Sequence, residues 1–130
     1  MNLDLPATML ELAGVDIPKK YQGESLVRFM HGQAPSSWRT DMYNEHHYNH
    51  PRIPKWRGVR GERYTYARYY EQDPVYELIH DLKKDPDQTI NLVNDPEHAA
   101  VLKRMRARTD EFVSLYTRPE IVELKKQKRR

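Results

Sequence analysis

Residues Trp56 to Leu92, WRGVRGERYTYARYYEQDPVYELIHDLKKDPDQTINL, decide the fold. Three short runs in it read as strands. The first is 56–60, followed by Gly61-Glu62, where glycine tolerates the positive φ of a tight turn. The second is 63–70, rich in Tyr and Thr, as a half-buried pleated surface favours. Its alternation puts Tyr64, Tyr66, Arg68 and Tyr70 on one face, and Thr65, Ala67 and Tyr69 on the other. Gln72-Asp73-Pro74 breaks that run, because Pro cannot donate to a ladder and Asp favours turns. The third strand, 75–82, is closed by Lys83-Lys84-Asp85-Pro86-Asp87. Connections this short cannot make a parallel crossover, so the expectation is an antiparallel meander.

Outward from this stretch, Trp38 to Asn44 has an extended pattern and adds a further strand, 38–44. Downstream, 96–116 reads as a helix: Asp95 caps it, Pro96 takes the first position and Glu97 suits the positive end. Its expected buried stripe is Ala99, Leu102, Met105, Ala107, Phe112, Val113 and Tyr116. Pro119 ends it, followed by Ile121, Val122 and Leu124 and a basic end expected to fray. Upstream, Asp4 as N-cap, Pro6 in the first turn and Gly14 beyond the end frame a helix over 5–13. Leu5, Ala7, Met9, Leu10, Leu12 and Ala13 make it apolar nearly all round, the pattern of a helix covered on several sides. Either it packs under the meander, or it ends a larger α/β domain outside these residues; the second is preferred. A short helix over 23–30, with Leu26, Phe29 and Met30 inward and Gly32 as its stop, leads to a linker at 33–37. The fold expected is α+β: a four-stranded antiparallel sheet with the 96–116 helix on one face, preceded by a short helical segment.

Composition narrows the function. The chain has 130 residues, about one domain, with 38% apolar residues and a mean hydropathy of −0.97. The absence of Cys excludes disulfides and thiolate chemistry. Five of the 22 basic residues, Lys125, Lys126, Lys128, Arg129 and Arg130, stand at the end, leaving 17 against 19 acidic ones. A nucleic-acid-binding domain carries its basic residues on a folded face, so no nucleic-acid partner is expected. A heparin-like or phosphate-rich partner for the basic end is the sharper alternative to a solvated one. No signal peptide is visible and no run reaches the length of a membrane span, so a soluble chain with no membrane partner is expected.

The succession Gly58-Val59-Arg60, Arg63-Tyr64-Thr65-Tyr66, Tyr76-Glu77-Leu78, Asp81-Leu82, Asp85-Pro86 and Asn91-Leu92 resembles the C-terminal subdomain of the sulfatases. These are arylsulfatase-like members of the alkaline-phosphatase superfamily. Their strand pair "GVRT…RYKYI" leads into "ELYDLxxDPxExxNL". Upstream, Leu3-Asp4-Leu5-Pro6-Ala7-Thr8, Leu12-Ala13-Gly14, Pro18 and Gly23-Glu24-Ser25-Leu26 are similar to the family's "DLPATLLDLAG…IP…QGxSL", in the same order. The likeness reaches about Tyr116. It departs at Gly61, Thr65, His80 and Gln88, where the family often has Thr, Lys, Tyr and Glu.

The resemblance implies a sulfuric ester hydrolase whose nucleophile is a formylglycine made in a C/S-x-P-x-R motif. It also implies a divalent metal, usually calcium, to offset charge on the transferring sulfuryl group. Here none of Ser25, Ser36, Ser37 and Ser114 has Pro two positions on and Arg two beyond. No catalytic residue, metal ligand or cofactor is therefore expected within this chain. Family members are often exported.

Glu45-His46-His47-Tyr48-Asn49-His50 is the most suggestive polar cluster. Its His and Glu are zinc-ligand types, but the spacing matches no finger, and adjacent His on a strand point to opposite faces. A solvated loop with one or two His packed on Tyr rings is the plain expectation. The resemblance implies another: His46, His50, Trp56 and Arg57 contact the sugar or aryl part of a sulfate ester, Trp56 by stacking and Arg57 by a bidentate grip on an anion. The tyrosines suggest an RNA-stacking sheet only weakly, since the RNP motifs are absent. Asp85-Pro86-Asp87 is a turn rather than a calcium loop, having no alternating ligands.

The expected organisation is 1–37 as the end of a sulfatase α/β domain plus linker, 38–117 as the C-terminal subdomain, and 118–130 as a basic tail. Its expected role is to stabilise a sulfatase and to form part of the substrate-pocket wall. The partner is the N-terminal sulfatase domain or, failing that, a second copy through residues 3–13; the ligand is a sulfated carbohydrate or aryl sulfate. The alternative is a free-standing, non-catalytic module that binds sulfated or anionic ligands.

Overall fold

The computed structural model describes residues 1–117. Pro119, Ile121, Val122, Leu124 and the basic end lie outside the described residues. The chain divides into two compact units, Met1–Arg39 and a second starting at Thr40.

The first unit holds helix α1 (Asp4–Leu12) and the single turn α2 (Val27–Met30). Gly14 closes α1 with φ +68°, and Gly32 follows α2 with φ +70°, the left-handed stops their positions foretold. Asp4 departs from its expected role as N-cap. Leu3 stands at the N-cap, with no side-chain hydrogen bond, and Asp4 is the first helical residue. The Asp4 carboxylate instead reaches across the unit: Oδ1 accepts the Glu24 N–H at 2.9 Å and lies 2.5 Å from Arg39 Nη2, an ion pair too bent for a hydrogen bond. Thr8 repeats the pattern, its hydroxyl donating to the Asp4 carbonyl at 2.7 Å and accepting the Leu26 N–H at 2.9 Å. Gly23 passes so close to α1 that a Cβ there would lie 1.8 Å from the Leu3 carbonyl oxygen. Phe29 and Met30, expected inward, are exposed, because the turn is held by these polar contacts and by Phe29 packing edge-on against Trp38 at 4.7 Å. Trp38 is accordingly outside the sheet.

The second unit is the expected antiparallel meander, in the order β1–β2–β3–β4. The strands are β1 (Asp41–His46), β2 (Trp56–Gly61), β3 (Tyr64–Tyr69) and β4 (Tyr76–Asp81). The first begins at 41 rather than 38, and the others lie within a residue or so of their expected bounds. Gly61 continues β2 with no positive φ, so the hairpin turns on Glu62-Arg63. Gly58 is the glycine the sheet needs, since a Cβ there would meet the Tyr66 carbonyl oxygen at 1.9 Å. The register aligns Tyr43, Val59, Tyr66 and Ile79 in one row across all four strands. Behind that row lies helix α3 (Ala99–Tyr116), entered through a 3₁₀ turn, Pro96–His98, whose Glu97 N–H is capped by Asp95 at 2.9 Å. Leu102, Met105 and Phe112 of α3 complete the core with Val59, Tyr66 and Ile79. Ala99 and Ala107 of the expected stripe are exposed; Thr109 is buried in their stead, its hydroxyl satisfied by the Met105 carbonyl at 2.8 Å. A β-hydroxyl can bond the preceding turn and so enter a core that patterning by hydrophobicity alone denies it.

The outer edge of β4 is covered by the Asn91 side chain and the Leu92 backbone. Asn91 Oδ1 accepts the Ile79 N–H at 3.1 Å, Asn91 Nδ2 donates to the Glu77 carbonyl at 3.0 Å, and the Leu92 N–H reaches the Ile79 carbonyl at 2.9 Å. The turn before it is tied by Asp85, whose carboxylate accepts the N–H groups of Thr89 and Ile90 at 3.1 and 2.8 Å. These donors hold its pKa below the ordinary carboxylate value.

Candidate functional site

Of the four expected site residues, three gather at one end of β1 and β2. His46 and Trp56 are direct cross-strand partners. Both stand three residues from the core row, His46 from Tyr43 and Trp56 from Val59, so strand alternation puts them on the face away from α3. Residues 47–55 connect them in a loop stiffened by Pro51 and Pro54. His50 anchors this loop through a bridge to Ile53 and through its Nδ1, which accepts the Arg52 N–H at 3.2 Å. Rings follow one another along the chain: His46 meets Tyr48 edge-on at 6.5 Å, and Tyr48 stacks on His50 at 6.3 Å. Tyr48 is 69% exposed. A solvent-facing aromatic of this kind offers an apolar face with a polar tip, the form that suits a sugar ring. His46 Nε2 is buried without a hydrogen-bond partner among the described residues.

Arg57 does not join this group. It lies two residues from Val59 and therefore on the α3 side of the sheet, with its guanidinium 4.0 Å above the Tyr70 ring. There His47 lies between Glu45, 2.7 Å from its Nε2, and the Tyr70 hydroxyl, 2.9 Å from its Nδ1. Tyr43 also donates to Glu45, at 2.6 Å. Burial and this bond to a carboxylate both push the Tyr43 hydroxyl well above the ordinary tyrosine pKa. Glu45 and His47 thus pair with tyrosines, while His46 faces the other way. No three ligand-type side chains converge among the described residues.

The register also assembles a charged row that the sequence reading did not find. On the α3 side, Glu45, Arg57, Arg68 and Glu77 are successive cross-strand neighbours. Glu77 takes the Tyr66 hydroxyl and the Arg106 fork, and Arg68 reaches Asp110 of α3. Arg106 comes first among the forces holding Glu77 below the usual carboxylate pKa, outweighing burial. The sign of this row was readable once strand pairing is known, but no local motif announces it.

At the opposite end of the sheet from His46 and Trp56, a cleft of about 600 Å³ is lined by Asp41, Arg63, Tyr64, Val101, Arg104 and Arg108, among others. Its charges largely neutralise one another. Arg108 grips Asp41 with two bonds of 2.6 and 2.9 Å, and Arg63 grips the buried Asp81. The Arg63 fork is the main cause holding the Asp81 carboxyl down, at about 2.

The N-sulphoglucosamine sulphohydrolase C-terminal family model matches residues 1–115. Among characterised proteins, the chain is 34% identical over 115 residues to a Δ4,5-hexuronate-2-O-sulfatase of Bacteroides thetaiotaomicron, spanning 87% of this chain and 23% of that protein. It is 29% identical over 121 residues to an N-acetylglucosamine-6-O-sulfatase of the same organism, spanning 89% of this chain and 21% of that one. Among solved structures it is similar to a protein in complex with its substrate D-glucosamine-2-N,6-O-disulfate. The TM-score there is 0.79 at 27% identity, covering 89% of this chain and 24% of the other. It is also similar to a 2-O GAG sulfatase, with a TM-score of 0.75 at 32% identity, covering 85% and 24%. The chain therefore spans less than a quarter of the length of the characterised relatives it matches.

Proposed function

This chain belongs to the N-sulphoglucosamine sulphohydrolase C-terminal family, and from that premise we propose that it serves as the C-terminal subdomain of a glycan sulfatase. In this reading it stabilises the enzyme and supplies one wall of the substrate pocket. The observation that carries it is the exposed run of rings, Tyr48 and His50, beside the His46–Trp56 pair at one end of β1 and β2. Trp56 and Tyr48 offer stacking faces, and His46, with an unpaired buried nitrogen, offers a hydrogen bond to a hydroxyl or sulfate oxygen. The names of the relatives point to sulfated amino sugars and uronates as the ligand class.

The described residues do not fit a divalent-cation site. Their buried carboxylates are each committed, Asp81 to Arg63 and Asp4 to Arg39 and a backbone N–H, and no three ligand types converge. This supports placing the metal and the nucleophile in the remaining three-quarters of the enzyme, so no catalytic step is assigned to this chain.

The test uses the whole enzyme that carries this sequence. Trp56→Ala and Tyr48→Ala should each raise KM for a sulfated disaccharide about tenfold, as expected for roughly 1–1.5 kcal/mol of lost stacking, with kcat and the melting temperature little changed. An unchanged KM in both variants overturns the pocket-wall reading. Binding of the disaccharide by the 130-residue chain alone, as tightly as by the whole enzyme, would favour the free-standing binding module instead.

A further inference from the structure

We propose that Arg57 and Arg68 together form an oxyanion site on the helix-facing side of the sheet, separate from the ring cluster around His46 and Trp56. The two arginines are direct cross-strand partners. Like charges placed opposite one another on one face repel, and each must be offset for the pair to persist. Arg68 is offset by Asp110, reached through Nη2. Arg57 has no carboxylate within ion-pairing distance among the described residues. Glu45, its neighbour on β1, is turned to Tyr43 and His47. What Arg57 does have is the Tyr70 ring beneath its guanidinium plane. Stacking of this kind uses the face of the guanidinium and leaves its N–H groups free in their own plane.

The second observation is independent of the charge count. The Nε atoms of both Arg57 and Arg68 are buried, and neither has a hydrogen-bond partner among the described residues. An orphaned, charged N–H withdrawn from water is costly, and an oxyanion bound between the two guanidinium groups would relieve that cost. A group with at least two negatively charged oxygens meets the requirement, because a guanidinium fork matches such a pair of acceptors. A sulfate group and a carboxylate share that chemistry. Because Arg57 faces away from Trp56 and His46, the acceptor held here is a different group from any sugar ring stacked on the other face. This holds whether or not the pocket-wall reading stands.

The experiment is a titration of the full chain with sodium sulfate, with sodium acetate and with sodium chloride at matched ionic strength. Its readout is the Nε–H resonances of the arginines, assigned by single substitutions. Saturable shifts of Arg57 and Arg68 with sulfate or acetate, absent with chloride, are expected, while Arg63 and Arg104 stay unmoved. A stronger response to sulfate identifies a sulfate group as the natural occupant, and a stronger response to acetate identifies a protein or uronate carboxylate. Arg57→Gln should weaken the response of Arg68 at least about tenfold, the effect of losing a charge-assisted bond. Arg57→Lys keeps the charge without the fork and should restore only part of it. No saturable shift with either oxyanion, or equal shifts with chloride, overturns the proposal. So does a full response in Arg57→Gln. Because neither salt is a substrate, this outcome is independent of the KM test above.

Discussion

The two units of this chain bury opposite things. In the first, the buried side chains are Asp4, Thr8 and the small Ala7, while Leu5, Met9 and Leu12 are 53%, 69% and 63% exposed. In the second, Val59, Tyr66, Ile79, Leu102, Met105 and Phe112 form a continuous apolar core, with Asp81 and Thr109 buried beside it and satisfied by Arg63 and by the helix's own carbonyl. The first unit is therefore a hydrogen-bonded clasp centred on one carboxylate, and the second is a conventional sheet-on-helix core. A clasp is specific but built of few interactions, its neutral bonds worth about 1 kcal/mol net and those to the Asp4 carboxylate about 1.5–3 kcal/mol. A core gains from every buried methylene.

Four changes break or sharpen that contrast. The largest effect should come from Ile79→Ala, which empties a side chain at 0% exposure in the middle of the core row. It should cost the second unit roughly 3–4 kcal/mol in urea unfolding. A loss below about 1 kcal/mol would mean that this unit is not held by its core. Next is Gly23→Ala, whose Cβ has no room against the Leu3 carbonyl. It should cost about 2 kcal/mol, confined to the first unit. Hydrogen exchange should lose protection at the Glu24 and Leu26 amides while those of β2 and β3 stay protected; loss in both would show that the two units unfold as one.

A third change is acid. The Asp81 carboxyl is held at about 2, far below its unfolded value, so the ionised form is the one that favours the fold. Its contribution is fully present above about pH 4 and is lost as pH falls from there towards 2. Asp81→Asn should flatten the unfolding midpoint of the second unit over that window, and an unchanged slope would show that Arg63 does little. The smallest effect belongs to Leu12→Ser. Its side chain is already exposed, so stability should move by no more than about 0.5 kcal/mol, while self-association measured by sedimentation should fall.

The contrast also explains what could be read from the sequence. The meander was legible because period-two alternation and tight turns are local signals, and the register follows from them. The stop glycines Gly14 and Gly32 were legible for the same reason. Asp4 was misread as a cap because its partners, Glu24 and Arg39, lie 20 and 35 residues away, and no local pattern reports them. Thr109 escaped because a polar residue enters a core when its hydroxyl is satisfied within its own turn. Trp56 and Arg57 illustrate the limit at the candidate site. They are neighbours in the chain and were assigned to one ligand, yet the pleat sends them to opposite faces. Arg57's partners, Arg68 and Tyr70, come from the next strand and its end, and only pairing reveals them.

The outer edge of β4 has a further consequence. An open strand edge is a template on which another molecule can continue the sheet. Here the amide of Asn91 presents one acceptor and one donor at the spacing a fifth strand would use, and the Leu92 N–H adds a third contact. One side chain and one backbone N–H occupy the edge from Glu77 to Ile79. Asn91 is thus a full stop written into the sheet, and Asn91→Ala should leave the chain folded by circular dichroism while shortening the lag of fibril growth followed by thioflavin fluorescence.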